Sequence, residues 1–325
     1  MPITTAAVHD RYGGPEELQV REVDCPEPGE GRVLVDVRAA SVNPLDWHSL
    51  TGRPWIARSQ SGLRLRPGHR LGTDVAGVVV ALGPGVTTFA VGDAVFGAAD
   101  GALGGLVLAK ATSLAHKPEE ITFEQAGAVA IAGVTALQAL RDKGKVGPGS
   151  RVLVNGAAGG VGSFAVQLAK GMGATVTGVC GPANVQFVRD LGADAVVDYT
   201  KEAVTSGGGQ YDVIVDNQGN HSARALKRVL VPGGVEVVVG GKKSGRVIGP
   251  LATLLRLKLA FLVGSRRAAP MMAKINADDL ATLAQLMAAG SLRPAVTRTF
   301  PLADVATAFA EIGAGHARGK LVVVP

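Results

Sequence analysis

The 325-residue sequence has only two cysteines, Cys25 and Cys180, which lie far apart and form no C-x-x-C pair. This excludes both a disulfide framework and a structural zinc site built from paired cysteines. Aromatic residues make up only 4% of the chain, and no run of Lys and Arg exceeds two residues despite the net charge of +6. The sequence therefore offers no basic, aromatic-interleaved surface for nucleic acid, and we expect no nucleic-acid partner.

Long hydrophobic runs are also missing. The most apolar stretch, residues 251–264, is interrupted by Arg256 and Lys258 and is too short to cross a bilayer. A plain core helix and an interfacial or substrate-lining helix both remain open for it. The N-terminus lacks the basic-then-apolar order of a signal peptide. We expect no membrane span and, with so few cysteines, a reducing cytoplasmic location.

Glycine and apolar residues are abundant, with 45 glycines and 47% hydrophobic residues. The length favours two domains. As far as about Lys117, short β-like runs such as VLVDVRAA alternate with turns, whereas from Thr122 apolar helical stretches alternate with buried strand runs such as RVLVNG and DVIVDN. We predict an α/β protein with an irregular β domain at 1–123 and 290–325. A doubly wound parallel sheet domain is predicted at 124–289.

The strongest motif is a glycine turn between a strand at 151–155 and a helix at about 161–172. Ala157, Gly159 and Gly162 stand where the dinucleotide fingerprint has its three glycines. We expect Gly159 to let the backbone approach a pyrophosphate and to adopt an angle that only glycine tolerates. Gly162 would let the helix pack closely on the strand. The helix N-terminus favours an anion, so the motif predicts a dinucleotide site.

The end of the next strand distinguishes the two nicotinamide cofactors. An acidic residue there would bond the ribose 2′-hydroxyl of NAD and repel the 2′-phosphate of NADP. The sequence reads VCGPAN at 179–184 and contains no acid. It therefore favours NADPH, and we place Cys180, Gly181 and Asn184 at the cofactor.

Several further motifs occur in a recognisable order along nearly the whole chain: ASVNPLD at 40–46, LGTDVAGVV at 71–79, VGDAVFG at 91–97, AGVTALQAL at 132–140, NGAAGGVG at 155–162 and GK at 319–320. Together they resemble the zinc-independent quinone reductase branch of the medium-chain dehydrogenase/reductase superfamily. The resemblance implies a GroES-like β domain and a Rossmann domain.

The resemblance also implies that no catalytic zinc is bound. Where zinc-dependent relatives have a Cys, this sequence has Asn43, and where they have a His-Glu pair, it has Thr73 and Asp74. An amide and a hydroxyl are poor zinc ligands. His69 lies nearby in the sequence, but we interpret it as a surface or turn residue and expect no metal site.

Site residues are carried over by their positions in these motifs. The cofactor contacts are expected at Asn43, Thr135, Ala158, Gly159, Gly160, Val161, Gly162, Cys180, Gly181, Asn184, Tyr199, Asn217, Gly240 and Lys320. The proposed reaction-site residues are Asn43, Asp46 and His48, with His48 as a proton relay. For Asp46, stabilisation of its own turn is an equal alternative. Two further alternatives remain open: the Thr135 hydroxyl bonds to the backbone of its own helix, and Tyr199 is an ordinary strand-end residue.

The resulting hypothesis is direct hydride transfer from NADPH to a quinone or another conjugated carbonyl. Without a Lewis-acid metal, the acceptor must already be polarised by conjugation. Reduction of an alkenal or enoyl thioester is the alternative within the same fold. A low-turnover NADPH-binding sensor or accessory protein is the alternative from a different class. We further expect a homodimer.

Overall fold

The computed structural model describes residues 2–55, 58, 65–206, 210–240, 260–315 and 317–325. The chain divides into two compact units. The first comprises Met1–Val134 and Ile275–Pro325, and the second comprises Thr135–Lys274. Each unit is described by itself below.

Strands dominate the first third of the chain and recur at its end. In chain order they are β1 (Ile3–His9), β2 (Gln19–Asp24), β3 (Arg32–Val42), β4 (His69–Arg70), β5 (Asp74–Leu82), β6 (Ala94–Ala98), β7 (Leu106–Lys110), β8 (Leu114–His116), β9 (Arg151–Asn155), β10 (Thr175–Cys180), β11 (Ala195–Asp198), β12 (Tyr211–Asp216), β13 (Leu230–Val238), β14 (Arg267–Pro270), β15 (Val296–Pro301) and β16 (Lys320–Val324).

The α-helices among the described residues are mostly short. They are α1 (Pro44–Thr51), α2 (Phe123–Ala126), α3 (Ala130–Gln138), α4 (Gly160–Gly171), α5 (Val185–Asp190), α6 (Ala223–Val229), α7 (Ala277–Ala288) and α8 (Val305–Ala314). A π-helical turn at Ala139–Gly144 continues α3.

The first unit is built on a largely antiparallel sheet in the order β15-β16-β3-β5-β6-β8, with β7 also paired to β3. A smaller sheet has the order β2-β1-β4. The long strand β3 is the centre, because its apolar residues are buried, and Val35 and Leu50 lie in one core with Val95 and Phe309. The last strand of the chain belongs to this sheet, since β16 pairs with β3.

The second unit holds a six-stranded sheet in the order β11-β10-β9-β12-β13-β14. Every neighbouring pair in it is parallel. The chain order reverses between β9 and β12, and in such doubly wound sheets ligands bind outside the carboxyl ends of the strands at this point. The predicted GroES-like and Rossmann architecture is thus the one observed, and the carboxyl end of β9 leads directly into the glycine turn.

The contact-based division differs from the sequence-based one at both boundaries. The sequence analysis assigned residues 124–289 to the second domain, whereas the compact second unit begins at Thr135 and ends at Lys274. Helix α7 lies in the first unit because it packs against β8. It buries Leu280, Leu283 and Met287. Helical periodicity alone does not reveal which sheet such a face covers.

The apolar stretch at 251–264 falls largely outside the described residues, because residues 251–259 are not among them. Neither interpretation of it as a helix is therefore tested. Within the described ranges, no helix is long and apolar enough to cross a membrane.

Candidate functional site

A buried polar cluster lies in the first unit around Asp74, at the start of β5, and Asp74 is fully buried. One carboxylate oxygen, Oδ1, accepts the backbone N–H of Ile131 at 2.7 Å. The other, Oδ2, accepts from Ser41 Oγ at 2.6 Å, Asn43 Nδ2 at 3.1 Å and Lys320 Nζ at 3.1 Å. Four donors from three chain segments thus converge on one carboxylate, which offsets the cost of removing its charge from water.

Lys320 and Asn43, both predicted cofactor contacts, belong to this cluster. The Lys320 side chain is only 3% exposed. Its ammonium donates to Asn43 Oδ1 at 2.5 Å as well as to Asp74. The Asn43 amide therefore accepts from a cation on one side and donates to an anion on the other. The structure brings both side chains together, and their contact with a cofactor stays a prediction.

Asp46 fixes the loop that carries Asn43. Its Oδ2 accepts the backbone N–H of Asn43 at 2.7 Å, which caps the first turn of α1, and its Oδ1 accepts from Thr73 Oγ1 at 2.9 Å. Burial raises the pKa of Asp46 to about 6, and the charge of Asp74 acts in the same direction. The contacts are those of the turn-stabilising alternative, so we assign Asp46 to holding the loop.

His48, the predicted proton relay, lies on α1 and is half-buried. Its Nδ1 is 2.6 Å from the backbone carbonyl oxygen of Arg53, an acceptor, so Nδ1 carries the proton in this contact. This bond fixes the ring within its own loop. A role in proton transfer is not tested by it and stays a prediction.

A zinc ion does not fit this cluster. Thr73 donates its hydroxyl to Asp46, and the oxygens of Asn43 and Asp74 face the Lys320 ammonium. A cation is thus already in place on the Asp74 carboxylate, and the other donors are an amide and a hydroxyl where zinc prefers thiolate or imidazole. Across the described part of the chain, no three His, Cys, Asp or Glu side chains are grouped to hold a metal. We derive no step through zinc.

The roles of the individual glycines in the turn of the second unit differ from the sequence prediction. The left-handed backbone belongs to Gly156, with φ of +76°. Gly159 has φ of −79°, which any residue adopts, so the expectation of a glycine-only angle there was wrong. A Cβ on Gly159 would meet only the Gly156 carbonyl oxygen, at 3.5 Å. The space over Gly159 is therefore open on the protein side.

Gly162 is required for packing, as predicted. A Cβ at this position would come within 2.2 Å of the Gly156 carbonyl oxygen and 2.8 Å of the Ala157 Cα. Helix α4 can lie against the turn only because this side chain is missing. The turn thus contains one glycine for backbone conformation, one for packing and one, Gly159, whose missing side chain leaves room for a ligand.

The N-terminus of α4 supplies the donors for that ligand. The helix begins at Gly160, and no side chain caps the preceding Gly159. The first turn of a helix has backbone N–H groups without helical partners and a partial positive charge, and both favour a phosphate. Ala158 is buried, whereas Gly159, Gly160 and Val161 are partly exposed. These residues fit a pyrophosphate, as the sequence analysis proposed.

The ends of β10 and β11 lie at the carboxyl edge of the same parallel sheet. The Tyr199 N–H donates to the Cys180 carbonyl oxygen at 3.2 Å. The Tyr199 hydroxyl lies 3.1 Å from where a Gly181 Cβ would stand, and Tyr199 is 55% exposed. Asn184 precedes α5 and donates its N–H to the Gly181 carbonyl oxygen. Four predicted cofactor residues from two strands are thereby brought together. Burial raises the pKa of the Cys180 thiol, so the thiol stays protonated.

On the other side of the turn, a polar network orders the loop after β12. Asp216 is buried, and its Oδ1 accepts from Asn155 Nδ2 at 2.7 Å and from the N–H groups of Gln218 and Gly219. Asn217 Nδ2 donates to the Asn155 carbonyl oxygen at 2.9 Å. The Asn217 Oδ1 is buried without a hydrogen-bond partner among the described residues. An acceptor left unpaired at the ligand edge is what a donor on a bound molecule would satisfy.

Gly240 and Thr135, the remaining predicted contacts, are placed differently. A Cβ on Gly240 would come within 2.1 Å of the Asn217 carbonyl oxygen, so this glycine allows the loops after β12 and β13 to meet. Thr135 is buried in α3, and its two alternatives stay open.

The sequence analysis gave no role to Asp74, Asp216 and Glu236, which are all at most 2% exposed. Each begins, ends or interrupts an apolar strand run: TDVAGVVV, DVIVDN or VEVVVG. An acid within such a run is the signal that could have identified them, because a buried carboxylate needs partners or a shifted pKa.

Comparisons with known proteins agree with this architecture. A profile described as the alcohol dehydrogenase GroES-like domain matches residues 29–136, and one described as zinc-binding dehydrogenase matches residues 191–323. The chloroplastic quinone-oxidoreductase of Triphysaria versicolor is 34% identical over 342 residues, with 98% of each chain covered. The chain belongs to the medium-chain dehydrogenase/reductase superfamily.

Within this superfamily the chain lies in the quinone oxidoreductase-like branch. The structure of the quinone oxidoreductase from Coxiella burnetii superimposes with a TM-score of 0.85 at 31% identity and covers 100% of both chains. The quinone oxidoreductase of Escherichia coli, solved in complex with NADPH, gives a TM-score of 0.81 at 27% identity and covers 99% of this chain and 100% of that one. The chain is an oxidoreductase of this family that depends on a nicotinamide cofactor.

Proposed function

We propose that this medium-chain oxidoreductase reduces quinones with NADPH and without zinc. The observation that carries the proposal is the glycine turn at the carboxyl edge of the parallel sheet. At Gly159 the space beside the backbone is open to a ligand, and the N-terminus of helix α4 lies in the same turn. Each of these features is required for a dinucleotide pyrophosphate.

The second unit would hold the cofactor through backbone groups. The N–H groups at the start of α4 would bind the pyrophosphate, and the ends of β12 and β13, with Asn217 and Gly240, would border the nicotinamide side. When bound, the reduced nicotinamide supplies a hydride. The task of these residues is to hold one orientation, since orientation contributes a large part of the rate of such transfers.

The preference for NADPH rests on the end of β10. Cys180 and Gly181 present no carboxylate there, so nothing on that strand end repels a 2′-phosphate. The exposed Tyr199 hydroxyl next to Gly181 would donate to the phosphate. The nearest acid, Asp198 on β11, turns one carboxylate oxygen toward Thr200, which donates both its N–H and its hydroxyl.

The acceptor class follows from the cluster in the first unit. Asn43, Thr73 and Asp74 are engaged with Lys320 and Asp46, so this cluster offers a buried ammonium and an amide rather than a fitting set of zinc ligands. Such groups can donate hydrogen bonds to a carbonyl oxygen, but they polarise it less than a divalent metal does. A quinone is already polarised by conjugation. One hydride and one proton convert it to the hydroquinone.

The test is NADPH oxidation at 340 nm with 1,2-naphthoquinone, trans-2-hexenal and a matched saturated aldehyde, each repeated with NADH. We expect turnover with the quinone, a higher kcat/KM with NADPH than with NADH, and none with the saturated aldehyde. Turnover confined to the alkenal would replace the quinone by the enoyl or alkenal reductase alternative. NADPH binding without turnover of either acceptor would support the sensor alternative and refute the enzyme proposal.

We also propose a homodimer formed through the second unit. Among the described strands, β14 ends its sheet, and the nearby apolar side chains of Leu262, Val263 and Met272 are 69%, 77% and 85% exposed. A sheet edge next to exposed apolar residues favours pairing with another strand. Light scattering after size-exclusion chromatography should give twice the chain mass, and a monomer at micromolar concentration would refute the proposal.

A further inference from the structure

Asp74 accepts hydrogen bonds from several elements of the first unit, and no role has yet been assigned to it. Its donors come from β3, from the residue before α1, from the start of α3 and from the start of β16. Two of those donors, Asn43 and Lys320, are the first-unit residues proposed to contact the cofactor or the acceptor. Asp74 itself is fully buried. Its effect on a reaction must therefore pass through the side chains that it holds.

We propose that Asp74 is a positioning residue that keeps Lys320 charged and holds the Asn43 amide in a single orientation for the reduction. The proposal rests on the proposed function and adds to it a residue that the motifs left without a role.

The argument for Lys320 is electrostatic and geometric. An ammonium that is only 3% exposed loses most of its hydration and remains charged only with an anion beside it. Asp74 is that anion, at 3.1 Å. An ammonium has three N–H bonds, and two of them are directed by Asp74 and Asn43. The direction of the third is thereby fixed.

The argument for Asn43 concerns the two ends of its amide. Nδ2 donates to Asp74, and Oδ1 accepts from Lys320. A rotation of the amide by half a turn would place the oxygen against the carboxylate and the NH₂ group against the ammonium, both repulsive. Without the Asp74 charge, only the contact with Lys320 still favours one orientation, and the amide is no longer held from both ends.

Asp46 is the other charged group acting within this cluster, since Asp74 and Lys320 both influence its titration. It lies on α1 and is engaged by Asn43 N–H and the Thr73 hydroxyl. Asp46 makes no hydrogen bond to Lys320 among the described contacts. It can therefore act on the Lys320 ammonium through its charge, but it cannot orient the ammonium as Asp74 does.

The experiment is a double-mutant cycle of Asp74→Asn and Lys320→Met, with kcat for 1,2-naphthoquinone measured from pH 6 to pH 9. We expect each single variant to lose at least tenfold in kcat and the double variant to match Lys320→Met within twofold, because Asp74 and Lys320 orient the Asn43 amide and the ammonium as one pair, and removing either partner already disrupts that arrangement. Asp74→Asn alone should also show a new loss of kcat as pH rises, because its unpaired ammonium deprotonates at lower pH. Lys320→Met should lack this loss.

The control is Asp36→Asn, the same substitution at a surface aspartate on β3 that pairs with Arg38. It should leave kcat unchanged. Where Asp74→Asn alone fails to fold because it leaves a buried cation unpaired, the charge-free double variant is compared directly with Lys320→Met. Equal kcat values support the proposal. A further tenfold loss, or a Lys320→Met variant as active as the parent, overturns it.

The double-mutant cycle is also measured by protein stability, which does not depend on turnover. Relative to the parent, the unfolding free energy of Asp74→Asn should rise between pH 7 and pH 10, because its folded state favours a neutral Lys320. This rise should vanish in the double variant. Its absence from Asp74→Asn would overturn the proposal. A parent that fails to oxidise NADPH with any acceptor would overturn the proposed function and this inference together, whereas an active parent with an unaffected Asp74→Asn variant would overturn the inference alone.

Discussion

Glu236 places an acid in the interior of the second unit, and its replacement by glutamine gives a quantitative test of the structure. It lies on β13, opposite Ile214 on β12 and Ala268 on β14, and is only 2% exposed. Its Oε2 has no hydrogen-bond partner among the described residues. Burial raises the pKa of Glu236 to about 8, and the nearby charge of Asp216 acts in the same direction.

The sign follows from linkage. The folded-state pKa lies above the unfolded value, so unfolding releases a proton, and the folded state becomes less stable as pH rises from 4.5 to about 8. Each pKa unit corresponds to about 1.4 kcal/mol, so the full effect is about 5 kcal/mol, of which about 4 kcal/mol develops between pH 5 and pH 9. Glutamine does not ionise and removes this dependence.

We therefore expect the stability of Glu236→Gln relative to the parent to increase by about 4 kcal/mol from pH 5 to pH 9. The assay is urea unfolding followed by far-ultraviolet circular dichroism, together with hydrogen exchange of the β13 amides, which reports on this unit by itself. The buried amide adds an offset that does not vary with pH, so only the slope is interpreted. Glu202→Gln, an exposed residue of the same unit, should show no such slope. A stability difference for Glu236→Gln that is constant within about 1 kcal/mol from pH 5 to pH 9 would refute the argument.

Four further outcomes are expected. Gly159→Val should fold normally and lose at least tenfold in NADPH affinity by calorimetry, about 1.4 kcal/mol, while Gly171→Ala at the far end of α4 leaves affinity unchanged; a Gly159→Val variant that binds like the parent would mean that the turn is not the pyrophosphate site. Tyr199→Phe should weaken NADPH by about tenfold and leave NADH unaffected, and equal losses for both cofactors would count against the 2′-phosphate contact. From pH 5 to pH 7, Asp46→Asn should gain about 1 kcal/mol of stability relative to the parent in urea titrations, because burial raises the pKa of this acid to about 6; no gain would contradict that shift. Metal analysis of the purified chain should find no stoichiometric zinc, and activity lost to a chelator and restored by zinc would contradict the zinc-independent mechanism.

Local patterns were sufficient for most of the architecture. The apolar runs of β9, β10 and β12 and the glycine turn predicted parallel strands around a dinucleotide motif, because buried strands and tight turns restrict residue type over a few positions. The packing role of Gly162 followed for the same reason. The loop-fixing role of Asp46 was one of two alternatives, and the hydrogen bonds of its carboxylate favour it.

What the sequence by itself determined is the kind of fold and the position of the glycine turn between β9 and α4, since each depends on residues adjacent in the chain. Only the tertiary structure decided that the left-handed residue of the turn is Gly156, that α7 packs on the first unit, and that Lys320 meets Asp74 across 246 positions of sequence. The physical reason is that burial removes water, so a buried charged side chain needs a partner of opposite charge within contact distance. Which residues lie within contact distance depends on the fold and not on their spacing in the sequence.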